Sequence, residues 1–147
     1  MEVEHSHIIP FIGDELQLTQ GYAGDAGFDL AYNGVEPLTV LPHAMMRIPT
    51  GVRVAMPQGM YAIITGRSST FAKRTLITPM SIIDSGFRGE LFAVVYNFGT
   101  EPQEMQPGER IIQLLPMMNL ASVIRWENVG SLPTSERAEQ GFGSSGR

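Results

Sequence analysis

Gly66-Arg67-Ser68-Ser69 sets a permanent cation beside two hydroxyls, between a strand-like run and a short helix-like run. Free backbone amides and the helix dipole would add to the arginine's charge there, an arrangement suited to phosphate; a serine N-cap beside a surface arginine would look the same. Asp84, in Ile82-Ile83-Asp84-Ser85-Gly86-Phe87-Arg88-Gly89-Glu90, is a carboxylate just before a turn, placed either to orient water or to close an Asx turn. Gln113 is one amide side chain in the otherwise apolar run of Pro107-Gly108-Glu109-Arg110-Ile111-Ile112-Gln113-Leu114, so it needs partners in a core network or on a ligand. Asp29, in Ala26-Gly27-Phe28-Asp29-Leu30, is an acid at the start of a strand. The chain ends in Glu136-Arg137-Ala138-Glu139-Gln140-Gly141-Phe142-Gly143-Ser144-Ser145-Gly146-Arg147. A flat aromatic face, a guanidinium and glycine-flanked hydroxyls there would suit a planar base at one end and phosphates at the other, or would simply be a polar terminus.

The segments that must position these groups are short. With 16 Gly and 10 Pro in 147 residues, turns are frequent, and no window of helical length carries a clean apolar period. Val52, Val54 and Met56 alternate with Arg53 and Ala55, and Met60 to Thr65 reads as a strand after the Pro57-Gln58-Gly59 turn. Leu91 to Tyr96 and Ile111 to Leu115 are apolar runs of strand length, the second closed by Pro116. Ser68 to Arg74 is the one plausible short helix. Strand-length runs at this spacing predict an all-β sandwich, barrel or jelly roll.

One domain of this length can bury a real core. Residues 1–132 are expected to form it, with 133–147 as a mobile C-terminal arm. A net charge of −5 argues against a nucleic-acid surface, and the absence of cysteine excludes disulfides, thiolate nucleophiles and cysteine-based zinc sites. Met1-Glu2-Val3-Glu4-His5 lacks a signal-peptide layout, and no apolar run approaches a membrane span, so a soluble, cytoplasmic protein of cellular or viral origin is expected. His5 and His7 could share a strand face but lack a third ligand, His43 reads as a turn residue, the nine methionines read as core filler, and Trp126 reads as a packing or subunit-contact residue.

The five polar, glycine-rich segments, in this order from residue 26 to 146, resemble the five motifs of the trimeric dUTPase family. The resemblance implies a jelly-roll-like β-barrel subunit with one short helix and a flexible tail, assembled as a homotrimer with active sites at subunit interfaces. It implies hydrolysis of dUTP to dUMP and pyrophosphate with Mg2+, which limits uracil in DNA and supplies dUMP for thymidylate. Asp84 then resembles the carboxylate that activates water, Arg67, Ser68 and Ser69 the phosphate-binding motif, and Gln113 the glutamine near the α-phosphate; Asp84, Gln113 and Arg67 are the expected catalytic set. Asp29 resembles the acid that meets the metal through water, the metal itself being held mainly by substrate phosphates. Thr78 through Phe87, with Ile82 and Ile83, would form a hairpin reading uracil, and Phe87 and Phe92 would complete the substrate wall. Phe142 would stack on the base, while Arg137, Gly143 and Ser144 would hold the β- and γ-phosphates.

Several positions depart from the family pattern. Phe87 stands where tyrosine is usual, Ser81 and Ala138 where glycine is usual, and Ser145 where threonine is usual, while Thr78 occupies a position that is asparagine in some members. Two alternatives remain open at this level: a dCTP deaminase of the same superfamily, and a dUTPase-like protein whose nucleotide site gates binding to a regulatory partner.

Overall fold

The alternation at Val52 and Val54 is the end of a much longer strand. The structure, a computed structural model, describes residues 7–140. Among these, eleven strands run in chain order: β1 (Phe11–Ile12), β2 (Leu18–Thr19), β3 (Phe28–Ala31), β4 (Leu38–Val40), β5 (Met45–Val54), β6 (Met60–Gly66), β7 (Leu76–Ile77), β8 (Ser81–Ile83), β9 (Glu90–Asn97), β10 (Gln103–Met105) and β11 (Arg110–Met118). A single α-helix, α1 (Ser68–Arg74), follows β6 directly. Its two last-turn cations, Lys73 and Arg74, complement the helix dipole, and Thr75 stops it in the left-handed region at φ 51°.

The strands form a four-stranded sheet in the order β1-β5-β9-β7, a five-stranded sheet in the order β2-β3-β11-β6-β8, and a β10-β4 ribbon. The expected barrel is therefore a jelly-roll-like sandwich of open sheets. Both large sheets end in edge strands of two or three residues, too short to carry the pairing around to the opposite sheet. Inward residues of the two sheets meet in one core: Ile48, Val52, Leu91, Ala93 and Val95 from one side, Leu30, Ala62, Ile64, Ile112 and Leu114 from the other. Each large aliphatic side chain sealed there contributes about 1.5–3 kcal/mol. Asn97, fully buried, is satisfied by the carbonyls of Val40 and Glu101, the amide of Gly99 and the hydroxyl of Thr75.

Three expectations need correction. Pro116 does not close its strand; β11 continues to Met118 with Pro116 opposite Ala62, because pairing with β3 has already ended at Leu114 and no ladder donor is lost on that side. Thr78 through Phe87 is not a hairpin: β7 pairs with β9 in one sheet and β8 with β6 in the other, so the segment crosses between sheets. The methionines are not uniformly core filler either, since Met56, Met60 and Met105 are buried while Met45, Met80, Met117 and Met118 are exposed.

His43 does occupy a turn, with φ 58°. His7 lies outside any strand, and His5 lies outside the described residues. Every residue from Met117 to Gln140 is exposed, and Trp126, at 91% exposure, takes no part in this chain's core. No helix among the described residues is long and apolar enough to cross a membrane.

Candidate active site

Because side chains alternate across a strand, the residues that send Leu30, Ile112, Leu114 and Ile64 into the core send their neighbours to the other face. In register across the five-stranded sheet, Thr19 lies opposite Asp29, Asp29 opposite Gln113, and Gln113 opposite Thr65. Arg67, the residue between β6 and α1, lies two positions along the chain from Thr65 of this polar row. The Arg67 guanidinium turns back over the row: Nε lies 3.0 Å from Oδ1 of Asp29, and Nη1 donates to the Arg110 carbonyl at 3.2 Å. Nη1 of Arg110 faces the other oxygen of Asp29 at 3.6 Å.

Around this row opens a cleft of about 410 Å³ that includes Asp29, Arg67, Ser68, Ser69, Arg110 and Gln113. Its far wall is the loop before β3, closed on itself by Asp25, whose carboxylate accepts from the Tyr22 amide at 2.9 Å. Gly27 lets this loop pass close to Gln113; a Cβ there would sit 2.8 Å from Gln113 Oε1. Gln113 Nε2 in turn faces the Gly66 carbonyl at 3.4 Å. Arg67 is the N-cap residue of α1, extended at φ −82° and ψ 148°, with no side-chain cap bond. Ser68 and Ser69 therefore stand in the first turn, where amides have no intrahelical acceptor. Two guanidiniums, Arg67 and Arg110, face the cleft beside the carboxylates of Asp29 and Asp25, and with the free first-turn amides they offer donors to an anion with several oxygens.

Asp84 is not part of this cleft. It follows β8, is exposed, and forms no ion pair among the described residues; its carbonyl accepts from the Phe87 amide at 3.1 Å, closing a turn. Nη1 of Arg88 braces the turn from the Ser85 and Phe87 carbonyls at 2.6 and 2.8 Å. The Phe87 ring, 43% exposed, lies over Gly89, where a Cβ would come within 2.5 Å of the ring's Cζ. Of the two isoleucines before Asp84, Ile82 is exposed opposite Ile63 and Ile83 is buried in the core, so Ile83 can meet a ligand only through its backbone. Thr78 lies behind Gly66 in a neighbouring recess of about 360 Å³ shared with Arg67 and Ser68, and its hydroxyl is buried without a partner. Phe92 sits on the outer face of the four-stranded sheet, with the Arg47 guanidinium 4.2 Å above its ring.

The structure thus brings Asp29, Arg67, Ser68, Ser69 and Gln113 together, places Thr78 beside them, and leaves Asp84, Ile82, Phe87 and Phe92 elsewhere on the chain. Arg137 is exposed and its Nε donates to the Gln140 carbonyl at 2.9 Å, while Phe142, Gly143 and Ser144 lie outside the described residues. Between them Ala138, at a position where glycine is usual, is left-handed with φ 47°. Sequence reasoning missed Arg110 and Asp25 as cleft residues; for Arg110 the available signal was the adjacent apolar pair Ile111-Ile112, which breaks the alternation of a regular strand.

No cluster of three or more metal-binding side chains occurs among the described residues. The chemistry of the cleft nevertheless fits Mg2+ carried by a polyphosphate. Such an ion keeps most of its waters and binds substrate oxygens, so it requires carboxylates at its rim and no protein cage. Asp25 and Asp29 are the carboxylates that line the cleft.

Comparison with known proteins agrees with the motif pattern. A family model described as dUTPase matches residues 16–146. A deoxyuridine 5'-triphosphate nucleotidohydrolase of Orientia tsutsugamushi is 35% identical over 148 residues, covering 99% of both chains. One of the same name from Dictyoglomus turgidum is 42% identical over 101 residues, 67% of both chains. Among solved structures, the Staphylococcus bacteriophage 80alpha dUTPase with dUPNHPP superposes with a TM-score of 0.82 at 23% identity, covering 97% of this chain and 100% of that one. The dUTPase from Streptococcus mutans gives 0.67 at 26% identity, covering 75% and 94%.

Proposed function

The chain belongs to the dUTPase family, and from that premise we propose that it hydrolyses dUTP to dUMP and pyrophosphate by attack of water at the α-phosphorus. In the cell it would hold down dUTP in the cytoplasmic nucleotide pool and supply dUMP. The observation that carries the proposal is the convergence of Arg67, Ser68, Ser69, Arg110 and Gln113 on one cleft around Asp29.

Arg67 holds Asp29 with Nε and a carbonyl with Nη1, and its remaining nitrogen, Nη2, would take a phosphate oxygen. The first-turn amides and hydroxyls of Ser68 and Ser69 would take further oxygens, and Gln113 would orient the α-phosphate. Asp84 would accept the proton of the attacking water as its oxygen bonds to phosphorus and the pyrophosphate oxygen departs. Backbone groups between Thr78 and Ile83 would read the uracil edge, and the Phe87 ring would pack on the sugar. When bound, Mg2+ would neutralise the polyphosphate and favour departure of pyrophosphate; Asp29, with Asp25, would meet its waters.

Asp84 lies outside the cleft of its own chain, which supports an assembly in which one subunit lends the Asp84 turn to another's phosphate cleft. We take this assembly to be a homotrimer. Met45, Ile77 and Tyr96, apolar and exposed on the four-stranded sheet, offer a surface for such contacts. Residues 133–147 would then close as an arm, with Phe142 over the base and Arg137, Gly143 and Ser144 on the phosphates.

A panel of dUTP, UTP, dCTP and dTTP with Mg2+, assayed for both pyrophosphate and ammonia, tests the proposal. Pyrophosphate released from dUTP well ahead of the other three is the expected result. Ammonia from dCTP without pyrophosphate from dUTP would turn the assignment to the deaminase.

A further inference from the structure

Residues three apart on a regular strand point to opposite faces, yet Arg110 and Gln113 line the same cleft. One extra residue reconciles them. β11 pairs Arg110 with Ala31 and Ile112 with Leu30, so Ile111 is bulged out of the ladder, and Ile111 and Ile112 are buried in succession at 1% and 0% exposure. A bulge re-aims side chains and removes backbone groups from pairing. Pairing with β6 ends at Ile112, and the carbonyls of the two residues before it are taken by the first turn of α1 and the residue before that helix: the Arg110 carbonyl accepts from Arg67 Nη1 at 3.2 Å, and the Ile111 carbonyl from the Thr70 hydroxyl at 2.9 Å. Thr70 is itself only 4% exposed, so no solvent can readily replace it as donor.

We propose that Thr70 is a positioning residue for the polyphosphate cleft. Its hydroxyl fixes the bulge at Ile111, and the fixed bulge holds Arg110 and Gln113 on the side where Arg67, Ser68 and Ser69 present their donors. Helix α1 and the start of β11 thereby form one unit, and both walls of the anion site keep their spacing. Only the nature of the physiological ligand rests on the dUTP-hydrolase proposal; the anion site can be tested apart from it.

The experiment compares wild type, Thr70→Val and Thr70→Ser in tripolyphosphate binding by calorimetry, in kcat and KM for dUTP, and in melting temperature. Thr70→Val keeps the shape and deletes the donor. It should weaken tripolyphosphate binding and lower kcat/KM by roughly tenfold or more, as expected when several ligand-orienting groups shift together, whereas Thr70→Ser should stay within about twofold of wild type. A purely structural role would lower the melting temperature of Thr70→Val and leave its tripolyphosphate affinity and kcat/KM in place, and that result overturns the proposal. Should Thr70→Val fail to fold, Thr70→Ala is read in its place by the same criteria. If wild type binds tripolyphosphate but does not hydrolyse dUTP, the proposed activity fails while the binding comparison still decides the role of Thr70. If wild type binds no tripolyphosphate, the cleft is not an anion site and the Thr70 proposal falls.

Discussion

Nε of Arg67 lies 3.0 Å from Oδ1 of Asp29, a pair in which neither side chain is more than a third exposed. The carboxylate separates Arg67 from Arg110, whose Nη1 approaches Oδ2 at 3.6 Å. Asp29→Ala would leave two guanidiniums facing each other without their common partner. The variant should lose about 1–3 kcal/mol of stability and at least tenfold in kcat/KM for dUTP, since Arg67 would swing away from its aim. Thermal denaturation and steady-state kinetics check the two effects separately, and unchanged kinetics would relieve Asp29 of any part in the site.

Asp84 is exposed on a turn braced by Arg88 and not by its own carboxylate. Asp84→Asn should therefore fold and melt as wild type does while turnover falls by about 10²–10⁴, the range for a lost general base. Near-normal turnover in a rapid-quench assay would remove Asp84 from the mechanism.

Gly89 leaves room for the Phe87 ring, and a methyl group there would come within 2.5 Å of Cζ. Gly89→Ala should push the ring out of place and erode the preference for dUTP over UTP. Phe87→Tyr, which keeps the ring, should preserve that preference. The ratio of kcat/KM values for the two nucleotides measures this directly.

Every described residue beyond Met117 is exposed, so the end of the chain adds little to the core of this subunit. Deleting the chain after Leu132 should leave the melting temperature nearly unchanged and abolish most dUTP hydrolysis, because Arg137 and Phe142 would go with it. A truncated protein with full activity would show that the last residues have no catalytic part.

Some of this architecture could be read from the residues themselves. Helix α1 is legible over its whole length, Ser68–Arg74, because its signals are local: serines at its start, Lys73 and Arg74 at its end. The strand from Met60 is legible from the Pro57-Gln58-Gly59 turn before it, and it runs one residue past Thr65, to Gly66. The segment around Asp84 misled, because a short apolar run carries no mark of the sheet it will join, and β8 and β9 choose partners far away in sequence. Pro116 suggested a stop because a missing donor matters only when a neighbour needs it, and the reach of β3 is invisible in the sequence of β11. Arg67, Ser68, Ser69, Gln113 and Asp29 were nominated as site residues from their types; that Arg110 joins them depends on a bulge.

The register that aligns Asp29, Gln113 and Thr65 draws on strands 113 − 29 = 84 and 113 − 65 = 48 positions apart along the chain. Pairings of such separation close large loops and belong to slow-folding topologies, generally on the millisecond-to-second scale. No partly folded form lacking either pairing has the anion cleft. A polyphosphate should then act on the folding kinetics from one side only, slowing unfolding in proportion to its occupancy and leaving the refolding rate untouched. Where both pairings complete only after the rate-limiting step, the newborn chain reaches its native sheet without help from polyphosphate, which then prolongs the life of a finished molecule without hastening its making.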